Sequence, residues 1–263
     1  MTGRLRMGAR LIAVLGWTLL LLPVQFALIR RRGTAKQRLP MLYWSGCARL
    51  LGVRLRVVGT PASGGERPVL FVANHSSWLD IIVLGAVLPG CFIAKGDVAT
   101  WPLVKTIARA GRTVFISRSR TGAARERDEL AERLAAGDNL ILFPEGTTSD
   151  GARVLPFRSS FLALADSAIK PLIQPVTIVY DQMDALPICR RNRPLIAWYG
   201  DMDLASHYLR LGQHGWRASI VFGQPVEATA GRKALSAALE SGIATDAAAL
   251  RQHRFTEPSP KKS

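Results

Sequence analysis

A chain of 263 residues with 48% hydrophobic content has the material for one domain of moderate size with an appendage, and argues against extended disorder except at its ends. A formal net charge of +16 points to anionic partners, which leaves nucleic acid, anionic lipid surfaces and phosphorylated substrates open. Cys47, Cys91 and Cys189 are odd in number, far apart and without CxxC or Cys/His spacing, which argues against a disulfide framework or a zinc site and fits a reducing, cytosolic setting.

The first predicted element is LIAVLGWTLLLLPVQFALI, residues 11 to 29, which holds no charged residue. As a helix it would extend about 28 Å, close to the hydrocarbon thickness of a bilayer. Arg4, Arg6 and Arg10 precede it, and Arg30, Arg31, Arg32, Lys36 and Arg38 follow it. The heavier positive flank is C-terminal, so the body of the protein is expected on the cytoplasmic side. A cleaved signal peptide is the weaker alternative, because a small-residue cleavage site should follow where this chain has IRRRG. The next segment, PMLYWSGCARLLGV at residues 40 to 53, carries Tyr43 and Trp44, which favour membrane interfaces, and Pro23 and Gln25 interrupt the first run. Residues 1–53 are therefore expected to form a membrane anchor of one or two helices, either spanning the bilayer or dipping into one leaflet. A core helix over residues 40 to 53 is the alternative.

From residue 55 onward, strand-like runs (LRVVG, VLFVAN, CFIAK, TVFISR, LILFPEG, PVTIVY, LIAWYG, SIVFGQPV) alternate with helical patterns (LDIIVLGAVL, WPLVKTIARAG, TGAARERDELAERLAAG, RSSFLALADSA). This alternation predicts an α/β fold with a largely parallel mixed sheet flanked by helices. Ala123, Ala124, Arg127, Leu130, Ala131 and Leu134 make the clearest helical stripe. The catalytic domain is placed at residues 54–250, and the basic ending, residues 251–263, is read as a disordered tail.

In α/β sheets functional groups gather at the carboxyl ends of strands. Four such ends are marked here: NHSSWLD, GRTVFISR, FPEGTTS and QPVTIVY. His75 and Asp80, five positions apart, cannot share a helix face, since five residues turn about 500°. They can meet if VLFVAN is a strand, His75 lies in the turn that leaves it and Asp80 falls in the first turn of the next helix. A neutral imidazole is suited to accept a proton near pH 7, and a carboxylate fixes its tautomer. Ser76 and Ser77 are too close in sequence to serve as nucleophile, and no GxSxG occurs, so the proton removed should belong to a substrate hydroxyl. Arg118 at a strand end offers a planar cation for phosphate. Pro144 and Gly146 force a turn that displays Glu145 toward a polar part of an acceptor, and the backbone N–H groups near Gly146, Thr147 and Thr148 could assist. Metal ligands and cofactors are not expected.

In this order and spacing the four blocks resemble those of the glycerolipid acyltransferase family, which includes bacterial 1-acylglycerol-3-phosphate acyltransferases. The resemblance covers about residues 70 to 180 and is carried mainly by the HxxxxD block and FPEG. It implies that His75 is the general base, that Asp80 supports it, and that Arg118, Glu145 and Gly146 bind a phosphorylated acceptor. It also implies a membrane-associated N-terminus, an acyl-CoA or acyl carrier protein thioester as donor, and a lysophospholipid acceptor converted to phosphatidate. Thr148 stands where phosphatidate-forming members commonly have Arg, and Ser160 where many have Gly. FPEGTTSDG followed by LPFRSS also resembles members that acylate lyso-ornithine lipid.

Two other classes compete. Nucleic-acid binding would explain the charge but not the uncharged run of residues 11 to 29, and no binding motif or aromatic stacking array accompanies it. An esterase or thioesterase is nearer, since water could replace the lipid hydroxyl at the same base. His207, His214 and His253 have no carboxylate at a suggestive spacing and are read as surface or packing residues.

Overall fold

A computed structural model describes residues 3–31, 34–63, 65, 67–95, 102–116, 123–167, 169–228 and 231–256. Two helices come first: α1, Gly3–Ile29, and α2, Ala35–Leu51. The strands and helices that follow are β1 (Val53–Val58), β2 (Val69–Ala73), α3 (Leu79–Val87), β3 (Gly90–Lys95), α4 (Pro102–Ala110), β4 (Val114–Ile116), α5 (Ala123–Ala135) and β5 (Asn139–Leu142). A 3₁₀ helix over Ser159–Asp166 leads to β6 (Leu172–Met183), β7 (Leu186–Pro187), α6 (Leu204–Leu211), β8 (Trp216–Phe222) and α7 (Gly231–Arg251).

The strands form one mixed sheet in the order β1-β8-β6-β2-β5-β3-β4, with β7 paired to β6. Pairing is parallel between β1 and β8 and from β6 through β2, β5 and β3 to β4, while β6 runs antiparallel to β8 and β7. The expected α/β fold with a largely parallel sheet is the one found. Its centre is β2, whose five residues are all buried because both faces are covered. Val69, Phe71 and Ala73 join the core on the α2/α3 side, and Leu70 and Val72 join the core on the α5/α7 side.

Three segments depart from the sequence expectation. LIAWYG is not a strand: residues 193–195 form a 3₁₀ turn, and the segment has no place in the sheet, which the chain leaves after Pro187 and rejoins at Trp216. RSSFLALADSA is 3₁₀ rather than α-helical over Ser159–Asp166. Where a tail was expected from residue 251, α7 includes Arg251 and the backbone N–H groups of Gln252, His253 and Arg254 still bond to residues 248–250; the expectation for residues 257–263 lies outside the described residues.

α1 is long and apolar enough to cross a membrane. It is nevertheless held to the rest of the chain near both ends. The Tyr208 hydroxyl donates to Met7 O at 2.9 Å, and Arg10 Nη1 donates to Gly212 O at 2.8 Å. Near the other end, Gln25 Nε2 donates to Ala110 O of α4 at 2.8 Å and to Lys36 O at 3.0 Å. Between them, Trp17 Nε1 donates to Tyr43 O at 3.0 Å, and the Thr18 and Tyr43 hydroxyls lie 3.0 Å apart. The opposite face presents Leu5, Ile12, Leu15, Leu19 and Leu20, with Ile12 72% and Leu19 73% exposed. Residues 40 to 53 lie mostly within α2, which packs on α3, where Gly85 admits the Trp44 ring: a Cβ there would lie 2.3 Å from it.

Candidate active site

The site starts where β2 stops. The Asn74 side chain continues the sheet by pairing with the backbone of Ile178, donating from Nδ2 to its O at 3.0 Å and accepting from its N at 2.8 Å. That pairing stops the strand and turns the chain. His75 and Ser76 follow as turn residues whose carbonyls accept from Ser149 N and Trp198 N, each at 2.9 Å. α3 then begins at Leu79, which puts Asp80 in its first turn, where the helix dipole favours negative charge.

Asp80 has no exposed surface, and its carboxylate accepts from four donors. Oδ2 takes Ser76 N at 2.7 Å, Ser77 N at 2.9 Å and His75 Nδ1 at 2.8 Å, while Oδ1 takes the Tyr180 hydroxyl at 2.7 Å. Because Asp80 is the acceptor throughout, Nδ1 of His75 carries the proton and the lone pair sits on Nε2. Nε2 has no partner among the described residues, and the side chain is 17% exposed. The imidazole stacks on Phe143 with ring centroids 4.0 Å apart. Only the outer nitrogen is thus left to meet a substrate.

Glu145 is not displayed on its turn. It is 2% exposed, its Oε1 accepts from His75 N at 2.6 Å, and its Oε2 accepts from Leu155 N at 2.8 Å. It therefore fixes the backbone that carries His75 and leaves neither oxygen aimed outward, contrary to the expected acceptor contact. Burial pushes its carboxyl up to about 8; the two backbone donors work against burial, and Asp80 and Glu240 add to it. Gly146 occupies φ 67°, and a Cβ there would approach the Phe161 ring to 2.9 Å, so this turn requires glycine. Thr147 is exposed and Thr148 half-buried beside it. Arg118, expected to bind phosphate, lies outside the described residues.

The fourth block, QPVTIVY, sits in β6 beside β2, and its last residue, Tyr180, completes the Asp80 shell. Sequence reasoning did not single Tyr180 out. The available signal was a phenol in an otherwise apolar strand run, which needs a hydrogen-bond partner when buried. His207 is buried as a packing residue, its Nδ1 accepting from Trp78 Nε1 at 2.9 Å. His214 does have a carboxylate partner: Asp184 lies 2.7 Å from its Nδ1. The partner comes from the β6–β7 turn, 30 positions away, beyond the reach of a spacing rule. Among the described residues no group of three or more His, Cys, Asp or Glu side chains could hold a metal ion.

Comparison with known proteins agrees with this fold. Residues 54–179 match the family model described as Acyltransferase. A lyso-ornithine lipid O-acyltransferase of Brucella abortus is 39% identical over 92% of this chain and 94% of its own length. A 1-acyl-sn-glycerol-3-phosphate acyltransferase of Neisseria gonorrhoeae is 37% identical over 48% of this chain and 49% of its own. The crystal structure of the 1-acyl-sn-glycerophosphate acyltransferase PlsC from Thermotoga maritima has the same fold, with a TM-score of 0.63 at 21% identity over 95% of this chain and 99% of that one. With these four sequence blocks on this sheet and a relative that similar along nearly its whole length, the chain belongs to the acyltransferase family.

Proposed function

We propose that this enzyme transfers a fatty acyl group from an acyl-CoA or acyl carrier protein thioester to the free hydroxyl of a lysolipid, with lyso-ornithine lipid as acceptor. The observation that carries the reaction is the His75 tautomer: Nδ1 is committed to a saturated Asp80, and Nε2 is left with a free lone pair. In this reading Nε2 takes the proton of the acceptor hydroxyl as its oxygen attacks the thioester carbonyl. The tetrahedral adduct collapses, the C–S bond breaks, and the proton on Nε2 passes to the leaving thiolate. Asp80 supports the imidazolium that exists between these steps. Ser76, Ser77 and Tyr180 keep the carboxylate oriented, and Glu145 keeps the His75 backbone in place.

The acceptor is inferred from two supports. The Brucella abortus relative aligns along nearly the whole chain, and a second lyso-ornithine lipid O-acyltransferase, from Rhizobium meliloti, is 36% identical over 80% of it. Thr148 supplies no cation where phosphatidate-forming members commonly have Arg. Lysophosphatidate is the second reading, favoured by Arg118 at its block position and by the Neisseria gonorrhoeae relative. The deciding experiment offers the purified protein a thioester donor with lyso-ornithine lipid and lysophosphatidate in parallel, and follows acylated lipid and free fatty acid. Preferential acylation of lyso-ornithine lipid is expected. Preference for lysophosphatidate would transfer the assignment to phosphatidate synthesis, and free fatty acid as sole product would make the enzyme a thioesterase.

Residues 1–53 are read as the membrane anchor and residues 54–250 as the catalytic unit. α1 is docked near both ends on one body, so we place it in the plane of the membrane with Ile12 and Leu19 toward lipid. The basic residues after it favour a cytoplasmic catalytic face.

A further inference from the structure

Behind the catalytic turn, where the loop after FPEG crosses toward β6, lies a shallow open pocket whose polar lining is Asn74, Ser76, Ser149, Arg153, Arg193 and Arg251, with Ile178, Tyr180 and Ile196 beside them. It sits on the β6 flank of β2, whereas FPEG leaves β5 on the other flank. Three guanidinium groups border it, and none is ion-paired among the described residues. Arg193 Nη2 reaches only the Arg251 carbonyl at 3.3 Å, and Arg251 Nη1 only the Gly151 carbonyl at 3.4 Å, so most of their donors are unused. Arg153 is exposed and makes no hydrogen bond among the described residues.

The negative groups nearby do not balance these cations. Asp150 is exposed, and both oxygens of Glu145 are occupied by backbone N–H groups. Burial, then the neighbouring Arg193, press Arg251 below the ordinary arginine range, with Asp150 and Glu145 offsetting them. Asn74 is committed to the backbone of Ile178, but the two serine hydroxyls of the lining keep free donors. The Ser76 hydroxyl is in a buried residue and has no partner among the described residues, and Ser149 Oγ accepts from Gly151 N at 3.3 Å with its proton uncommitted.

Like charges held together beside free hydroxyl donors are the complement of an anion. A carboxylate offers two oxygens in one plane, whereas a tetrahedral phosphate offers oxygens in several directions and can accept from three guanidinium groups and a hydroxyl at once. We propose that this pocket is a binding site for a phosphate group, free or on a lipid headgroup, separate from the acyl-transfer site and independent of which lysolipid is acylated. Ser76 joins the two, since its N–H holds Asp80 and the same residue lines the pocket.

The test uses the full chain in neutral detergent at constant ionic strength, with chloride replaced by the probe, and reads the thermal midpoint. Inorganic phosphate represents the free ion and glycerophosphoglycerol a phospholipid headgroup. A saturable rise is expected with at least one, and the better probe identifies the source. Arg153→Glu, at an exposed residue without hydrogen bonds among the described residues, should weaken the probe by about tenfold or more relative to its own midpoint without probe. Arg251→Gln should weaken it similarly, and Arg190→Glu, an exposed arginine outside the pocket, should not. The site is refuted if neither probe gives a saturable rise, if Arg153→Glu titrates like the wild type, or if Arg190→Glu weakens the probe equally.

Discussion

Tyr180 donates its phenolic proton to Asp80 Oδ1 at 2.7 Å from a strand residue 100 positions downstream. Burial, then the charge of Asp80, raise the phenol well above its ordinary range, so it remains a donor at every working pH. Replacing it by Phe keeps the ring in the core and leaves one buried carboxylate oxygen without its partner. Tyr180→Phe should lower thermal stability by about 1–3 kcal/mol. It should also reduce kcat about tenfold with little change in KM, because the Tyr180 hydroxyl is committed to Asp80. Steady-state kinetics with calorimetry check both, and an unchanged kcat would show that Asp80 holds its orientation without the phenol.

His75→Ala should reduce turnover by about 10²- to 10⁴-fold, the usual loss for a general base. Among the described residues its side chain makes one hydrogen bond and one ring stack, so the thermal midpoint should stay near that of the wild type. A folded variant with near-normal acyl transfer would remove His75 from the mechanism.

Glu145 couples the site to pH through folding. Its carboxyl is held near 8 in the folded chain against an ordinary value of 4.5. Between those values the folded state keeps a proton that the unfolded state has released, so stability falls as pH rises. The contribution is fully present below 4.5 and lost as pH passes about 8. Glu145→Gln should therefore flatten the decline of the thermal midpoint between about pH 5 and pH 8. An identical slope in both proteins would assign the decline to another group.

Membrane attachment should depend on the exposed face of α1 and not on its packed face. Ile12→Lys with Leu19→Lys changes two side chains that are 72% and 73% exposed, so the fold should survive. Loss of two apolar side chains from lipid should weaken vesicle binding by about 3–6 kcal/mol. Flotation with neutral vesicles measures it, and retention of full binding would mean that another surface carries the attachment.

Gly85→Ala tests how closely α2 approaches α3. The new Cβ would meet the Trp44 ring at 2.3 Å, and a displaced tryptophan should lower stability by about 1–3 kcal/mol. A neutral result in a denaturation experiment would show that the ring can move aside.

What could be read in the sequence was what local chain geometry controls. VLFVAN is a continuous apolar run because β2 is covered on both faces, and the five-residue interval from His75 to Asp80 has a geometric solution only at a strand-to-helix junction. α7 carries Leu235, Leu239, Ile243, Ala247 and Leu250 at helical spacing, so its buried face too is written in the local sequence. Tertiary structure decided the rest, because the remaining partners are separated by long stretches of chain. LIAWYG has the composition of a strand, yet Trp198 N is drawn to the Ser76 carbonyl and its indole to Met202 O, so the segment closes over the catalytic turn. The FPEG turn was legible, but the direction of its glutamate was not: two backbone N–H groups, one of them His75's, needed an acceptor inside the core, and Glu145 turned inward to supply it. Periodicity and motif report what a residue can do within a few positions of chain, whereas the choice among those possibilities is made by whichever donor or acceptor folding brings within 3 Å of it.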